Sequence, residues 1–226
     1  MGTSKSYIPK SSLNNTRIKR AMNSYMNDNA NVSRVVNRIG ASLSDDTNSP
    51  TKSSVGRPLG NFISLFEDFK KYGIDKTLES NGLLNLKHLS GSDLINALLD
   101  EFLEENTILE DSTIRHTFDD TLENMHITNL EDLKNLDSKD FLVNFIIIYI
   151  QNTFLLKNSE YMIKKWGNAK KEYLVNEINK CIYDATHDDL IKGDLEKVNW
   201  NSEEGRKYIE DRCKDAYGLL ELYGGE

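Results

Sequence analysis

The chain has 226 residues, 38% of them hydrophobic and 28% charged, with a net charge of −8. This size and balance fit one soluble domain of modest core plus a tail, expected in the cytoplasm. The two cysteines, Cys181 and Cys213, lie far apart in no metal-ligand spacing and are expected as reduced thiols, and a membrane anchor is excluded because no signal-peptide pattern is present and no uninterrupted apolar run reaches the ~20 residues a span requires.

The chain opens Met1-Gly2-Thr3-Ser4-Lys5-Ser6-Tyr7 in a stretch rich in Ser and Asn, and residues 1–13 have almost nothing to bury. A small second residue favours removal of Met1, which exposes the α-amine of Gly2. An α-amine has a pKa of about 7.7–8.0 against about 10.4 for lysine, so near neutral pH it is the more nucleophilic group. Residues 1–60 carry nine basic and three acidic side chains, a net +6, which leaves −14 for residues 61–226. A basic arm on an acidic body either docks on an acidic or phosphate-bearing partner or folds back on its own body.

Within the arm, residues 14–26 form an amphipathic helical pattern. Ile18, Met22, Tyr25 and Met26 share one face, with Arg17, Lys19 and Arg20 around it. Asn31 is placed to cap a second short helix carrying Val32, Val35, Val36, Ile39 and Leu43. Short helices are marginal alone, so these stripes require a partner. Arg17, Ile18, Met22, Tyr25, Val35 and Ile39 are the predicted docking residues. Residues 44–54 hold no apolar side chain and read as a linker, extended by Gly56, Pro58 and Gly60.

The body is expected from residue 61. Phe62, Leu65, Phe66 and Phe69 make an apolar stripe that Gly73 should end. Gly82 turns the chain into a packed loop at 83–86. Ser92 is the predicted cap of a helix burying Ile95, Leu98, Leu99, Phe102 and Leu103. Asp111 or Ser112 is the predicted cap of another, with Ile114, Phe118, Thr121, Leu122 and Met125 along one side. Asn129 starts a short element through Leu136. Ser138 is then expected to cap the most apolar helix, 139–156, on which Asp140, Asn144, Gln151 and Asn158 form a narrow polar stripe. Two helices follow: one over 159–185, loosened at Gly167-Asn168, and one from Asn201 or Ser202 to Gly224-Gly225. No run of alternating strands, repeat or hairpin signal occurs. The expected fold is all-α: an irregular helical bundle, residues 61–226, behind a flexible basic N-terminal arm, residues 1–60.

The opening Met1-Gly2-Thr3-Ser4-Lys5-Ser6-Tyr7 resembles the Met-Gly-Thr-Ser-x-Ser-Tyr start of QatB proteins, a component of the bacterial Qat anti-phage system. Ile8-Pro9-Lys10 stands where that family usually has Gly-Gly-Pro. The resemblance continues through Phe66-x-x-Phe69-x-x-Tyr72-Gly73-Ile74-x-x-x-Leu78, Leu86-x-x-Leu89-x-Gly91, Leu98-Leu99-Asp100-Glu101 and the block from Ile108 to Arg115. It implies a non-enzymatic subunit that works with an ATPase, a QueC-like protein and a TatD-like nuclease. QueC-type enzymes activate a deazaguanine carboxylate with ATP. The resemblance therefore implies that Gly2 is the acceptor of a covalent 7-deazaguanine adduct, with Thr3, Ser4, Ser6 and Tyr7 read by the modifying partner; no other cofactor is expected.

Other patterns are weaker. Met1-Gly2-x-x-x-Ser6 also fits an N-myristoylation signal, whose single acyl chain needs a second membrane signal. Consecutive His187, Asp188 and Asp189 fan around a helix and cannot converge on a metal. His116, Asp119, Asp120 and Glu123 share a helical surface that reads as a solvated acidic face. There is no P-loop, dinucleotide fingerprint, nucleophile elbow or His-Glu-x-x-His. The alternative function is a nucleic-acid-binding adaptor that recruits the nuclease through its basic arm. Against it stand the acidic body and the lack of aromatics in the arm beyond Tyr7 and Tyr25.

Overall fold

The structure is a computed structural model that describes residues 13–28, 30–45, 55–103, 109–190, 195 and 198–224. Among them the fold is all-α, with no strand. In chain order the helices are α1 (Leu13–Asp28), α2 (Ser33–Asp45), α3 (Gly56–Tyr72), α4 (Ile74–Asn81), α5 (Gly91–Phe102), α6 (Leu109–Asn124), α7 (Leu130–Lys134), α8 (Ser138–Thr186) and α9 (Glu203–Leu222), with a 3-10 turn at Leu84–His88.

The first half of α8 is the hub. Phe141, Leu142, Phe145, Ile146, Tyr149 and Ile150 are all buried, as their near-continuous apolar circumference demands. Phe62 and Phe66 of α3, Phe118 of α6, and Phe141 and Phe145 of α8 join into one aromatic cluster. Phe62 stacks on Phe141 at 5.3 Å between ring centroids, and Phe118 meets Phe145 edge-on at 4.6 Å. Each such ring buries some 1.5–3 kcal/mol of transfer free energy, and each aromatic pair adds about 0.5–1.5 kcal/mol. By length and composition α8 would cross a membrane, but 61% of its most apolar window is buried inside the protein, which accounts for it as a core helix.

Several ends fall where the sequence places them. Gly73 follows α3 and its N–H reaches the carbonyl of Phe69. Asn129 caps α7 in a reciprocal box with Asp132, and the Ser202 side chain caps α9 at the N–H of Gly205. Others differ. α5 begins at Gly91 rather than after Ser92, because the Gly91 N–H bonds the distant carbonyl of Thr128 at 2.7 Å and needs no side-chain cap. α6 begins at Leu109, so Ser112 lies inside its first turn. The loop at 83–86 winds into the 3-10 turn, and α4 fills the interval between Gly73 and Gly82 without an announcing pattern.

The largest difference concerns α8. Ser138 is its first residue, and the cap is Asp137, whose carboxylate accepts from the N–H groups of Lys139 and Asp140. The helix does not stop near residue 157. Asn158 is buried, and its amide nitrogen donates to the Phe154 carbonyl at 3.0 Å, so that donor is satisfied within the helix. The loosening expected at Gly167-Asn168 is present, at Gly167, with φ 77° and ψ 173°, a backbone region essentially reserved for glycine.

The arm also differs from expectation. α1 and α2 belong to the same buried core as the rest, and α2 packs more extensively against α9 than any other pair of elements does. Residue 60 lies inside α3, whose Leu59 is fully buried, so the division at 60 cuts a helix rather than a linker.

Candidate functional site

α1 and α2 form the platform that carries the N-terminal segment. Ile18, Met22, Val35, Val36, Ile39 and Leu43 are buried in the chain's own core. Their recurrence every three or four residues builds one continuous seam, as the sequence indicates, but the partner for that seam is internal. Ile18, Met22, Val35 and Ile39 therefore do not form an outward docking face: for α1 and α2, folding back is what occurs. The physical reason is the closeness of α2 to α9. An ideal Cβ on Gly40 would lie 2.7 Å from both the Glu221 nitrogen and the Tyr217 oxygen, so the helices meet backbone to backbone there. The Asn37 amide also donates to the Glu221 carbonyl across the same contact.

α1 is fastened separately to the far part of α8. The Asn23 amide donates to the Tyr161 hydroxyl at 2.8 Å, and the Lys19 ammonium lies 5.0 Å from the centroid of that ring. Tyr25, half-buried, stacks on Tyr173, with their hydroxyls 3.2 Å apart. Burial first, and the Tyr173 hydroxyl second, push the Tyr25 phenol well above its usual range, so it stays protonated. Tyr161 and Tyr173 lie on opposite sides of the Gly167 interruption, so α1 bridges it.

What remains outward on α1 and α2 is charge. Arg17, Arg20, Arg34 and Arg38 are exposed. They line one cleft of about 610 Å³ together with Ser24, Asn37 and Tyr223. Sequence spacing places Arg17 with Arg20 and Arg34 with Arg38, but not the two pairs together. The remaining predicted residues, Gly2, Thr3, Ser4, Ser6 and Tyr7, lie outside the described residues.

The other candidate chemistry does not assemble. No group of three His, Cys, Asp or Glu among the described residues is placed to hold a metal ion. The Asp120 carboxylate accepts from the Asn152 amide at 2.7 Å, tying α6 to α8. His187 lies against Tyr183, with its Nδ1 2.9 Å from Asp188. Cys213 is buried and its thiol is pushed up to about 12 by desolvation, which removes the thiolate at neutral pH. Burial raises Cys181 in the same direction, opposed by a hydrogen bond with Tyr223.

A family model described as Qat anti-phage system associated protein QatB matches residues 51–220. The chain belongs to the QatB family. It is thereby a component of the Qat anti-phage defence system. No curated protein and no solved structure matches it. The QatB match runs from just before α3 into the last turn of α9, which is the packed body. The opening seven-residue motif, α1 and α2 all precede it. In this QatB-family chain the arginine cleft is thus made by two helices outside the matched region, seated on a helix within it.

Proposed function

We propose that this QatB-family chain is a non-catalytic subunit of the Qat system that offers its N-terminal glycine to a QueC-like partner and docks on the system's ATPase. Family membership supports the setting, and the chemistry of Gly2 carries the finer reading. In the proposed step the partner activates a deazaguanine carboxylate as an acyl-adenylate. The free amine of Gly2 attacks the acyl carbon, an amide forms, AMP leaves and the amine gives up a proton. The partner supplies the activation; this chain supplies the nucleophile and its mount.

The mount suits the task. α1 starts at Leu13, eleven residues after Gly2, and its base is fixed by Ile18 and Met22 in the core. Eleven residues reach at most about 40 Å when extended, far enough to enter a neighbouring active site. The TatD-like nuclease belongs to the same proposal as a further member of the assembly. Intact-mass and peptide analysis after co-expression with the QueC-like protein tests the reading. The N-terminal peptide should lack Met1 and carry the added acyl group on Gly2. The Gly2→Glu variant, which retains Met1, should carry none. An unmodified wild-type peptide from an assembled, protective complex refutes it.

A further inference from the structure

We infer that the cleft between α1 and α2 is a binding site for a small polyphosphate-bearing ligand of the nucleoside di- or triphosphate class. Three observations carry this beyond the presentation of Gly2, on which it does not depend.

The first is uncompensated charge. Arg17, Arg20, Arg34 and Arg38 line one concavity, and among the described residues no Asp or Glu lines it with them. Among the described residues none of the four is in an ion pair. Some surface cations elsewhere sit beside acids, Lys70 with Glu67, Arg115 with Asp100, Lys134 with Glu131, Lys164 with Glu160 and Lys214 with Asp211, and others stand alone, but those are not gathered into one hollow. A chain of net charge −8 has acids to spare, yet none of the described ones lines this cleft. Four like charges in one hollow repel each other until an anion enters.

The second is chemistry and size. Arginine stays charged at every relevant pH, and its planar fork matches phosphate oxygens two at a time. The cleft volume of about 610 Å³ lies within the roughly 300–1,000 Å³ typical of small-ligand sites. The Ser24 hydroxyl adds a donor on the α1 wall, and Tyr223 offers an aromatic ring at the margin.

The third is preorganisation. Ile18 and Met22 anchor α1 between its arginines and the core, and Val35, Val36 and Ile39 do the same for α2. The guanidiniums therefore project from two fixed helices, and ordering them costs less than ordering a loop. A long nucleic acid fits less well. It would have to run from the cleft along a body carrying −14, with Tyr223 as the one aromatic residue among the described residues that line the cleft. A polyphosphate concentrates its charge within the span of the four guanidiniums and touches little else.

Isothermal titration of the full chain tests the inference. The probes are ATP, inorganic tripolyphosphate, adenosine, a single-stranded oligonucleotide and a Glu-rich peptide, at low and at raised salt. ATP and tripolyphosphate should bind saturably at one site and weaken with salt, and adenosine should not bind. ATP binding more tightly than tripolyphosphate identifies a nucleotide; the reverse order identifies the polyphosphate group alone. The Arg20→Gln/Arg38→Gln double variant changes only exposed side chains. It should keep the wild-type circular dichroism melt and lose affinity by about tenfold or more. Lys164→Gln, on the remote part of α8, should bind as wild type. Absence of saturable phosphate binding overturns the inference. So does binding indifferent to the double variant, or tighter binding of the oligonucleotide or the peptide than of either phosphate probe. None of these outcomes bears on the mass of the Gly2 peptide, so the two proposals fail separately.

Discussion

Replacing Gly40 by alanine should loosen the N-terminal helices from the body. The added Cβ would sit 2.7 Å from the Glu221 nitrogen, 2.7 Å from the Tyr217 oxygen and 2.8 Å from the Leu220 Cβ. An ordinary contact is about 3.5 Å, so α2 and α9 must part by about 0.8 Å. Overpacking of this kind costs about 1–3 kcal/mol, and the obstructing atoms are mainly backbone, which favours the upper half of that range. Alanine returns about 1 kcal/mol through helix propensity, leaving a net loss of about 1–2 kcal/mol. In a protein of this size that lowers the melting temperature by about 2–8 °C. Gly218 on α9 is the matched control, because a Cβ there meets nothing within 4 Å. Gly218→Ala should therefore raise the melting temperature by about 2–4 °C. Thermal melts followed by circular dichroism read both. If Gly40→Ala is stabilised to the same extent as Gly218→Ala, the close α2–α9 crossing is wrong.

Phe145→Ala removes a buried ring that contacts Phe118 at 4.6 Å and Phe141 at 6.4 Å. It should cost about 3–5 kcal/mol in urea denaturation, and a loss below about 1 kcal/mol would contradict a core centred on α8. Asp132 is held below the usual carboxylate range first by the backbone N–H and hydroxyl of Thr128, then by Asn129. Because its folded pKa is depressed, its contribution is complete above the unfolded value of about 3.9 and disappears as pH falls through the folded value. Asp132→Asn should accordingly lower the urea midpoint at pH 7, with the gap to wild type closing below about pH 4; a gap independent of pH would contradict the capping box.

Periodicity alone recovers the helical class and most core positions, because a stripe such as Phe62, Leu65, Phe66 and Phe69 has no other use in a soluble chain. What periodicity does not carry is the identity of the covering surface. The stripe of Val35, Val36 and Ile39 shows a demand for burial, and a partner protein or α9 would satisfy it equally. Gly40 was the available clue, since a glycine in a helix centre marks close approach, but it names no neighbour. Boundaries shift for local reasons. The helix expected to end at 156 runs on through Asn158, whose amide donates to the Phe154 carbonyl, and α6 starts upstream of both residues that resemble a cap. Thr117, buried beside Phe118, escapes a hydrophobic pattern because its hydroxyl is satisfied by the Thr113 carbonyl. The arginine cleft illustrates the same limit. Each pair is visible on its own helix, and only the packing of α1 against α2 brings the four into one concavity. The seven-residue opening, by contrast, is legible only as chemistry and resemblance.

The seating of α2 against α9 also sets a timetable. Asn37 and Glu221 are 184 residues apart in sequence. At a synthesis rate of roughly 5–20 residues per second, α2 emerges some 10–35 s before its seat has been made. Until then the first two helices have no complete surface to close upon, and their apolar seams face the cell. The window in which these two helices stand apart from their seat is therefore the time of translation.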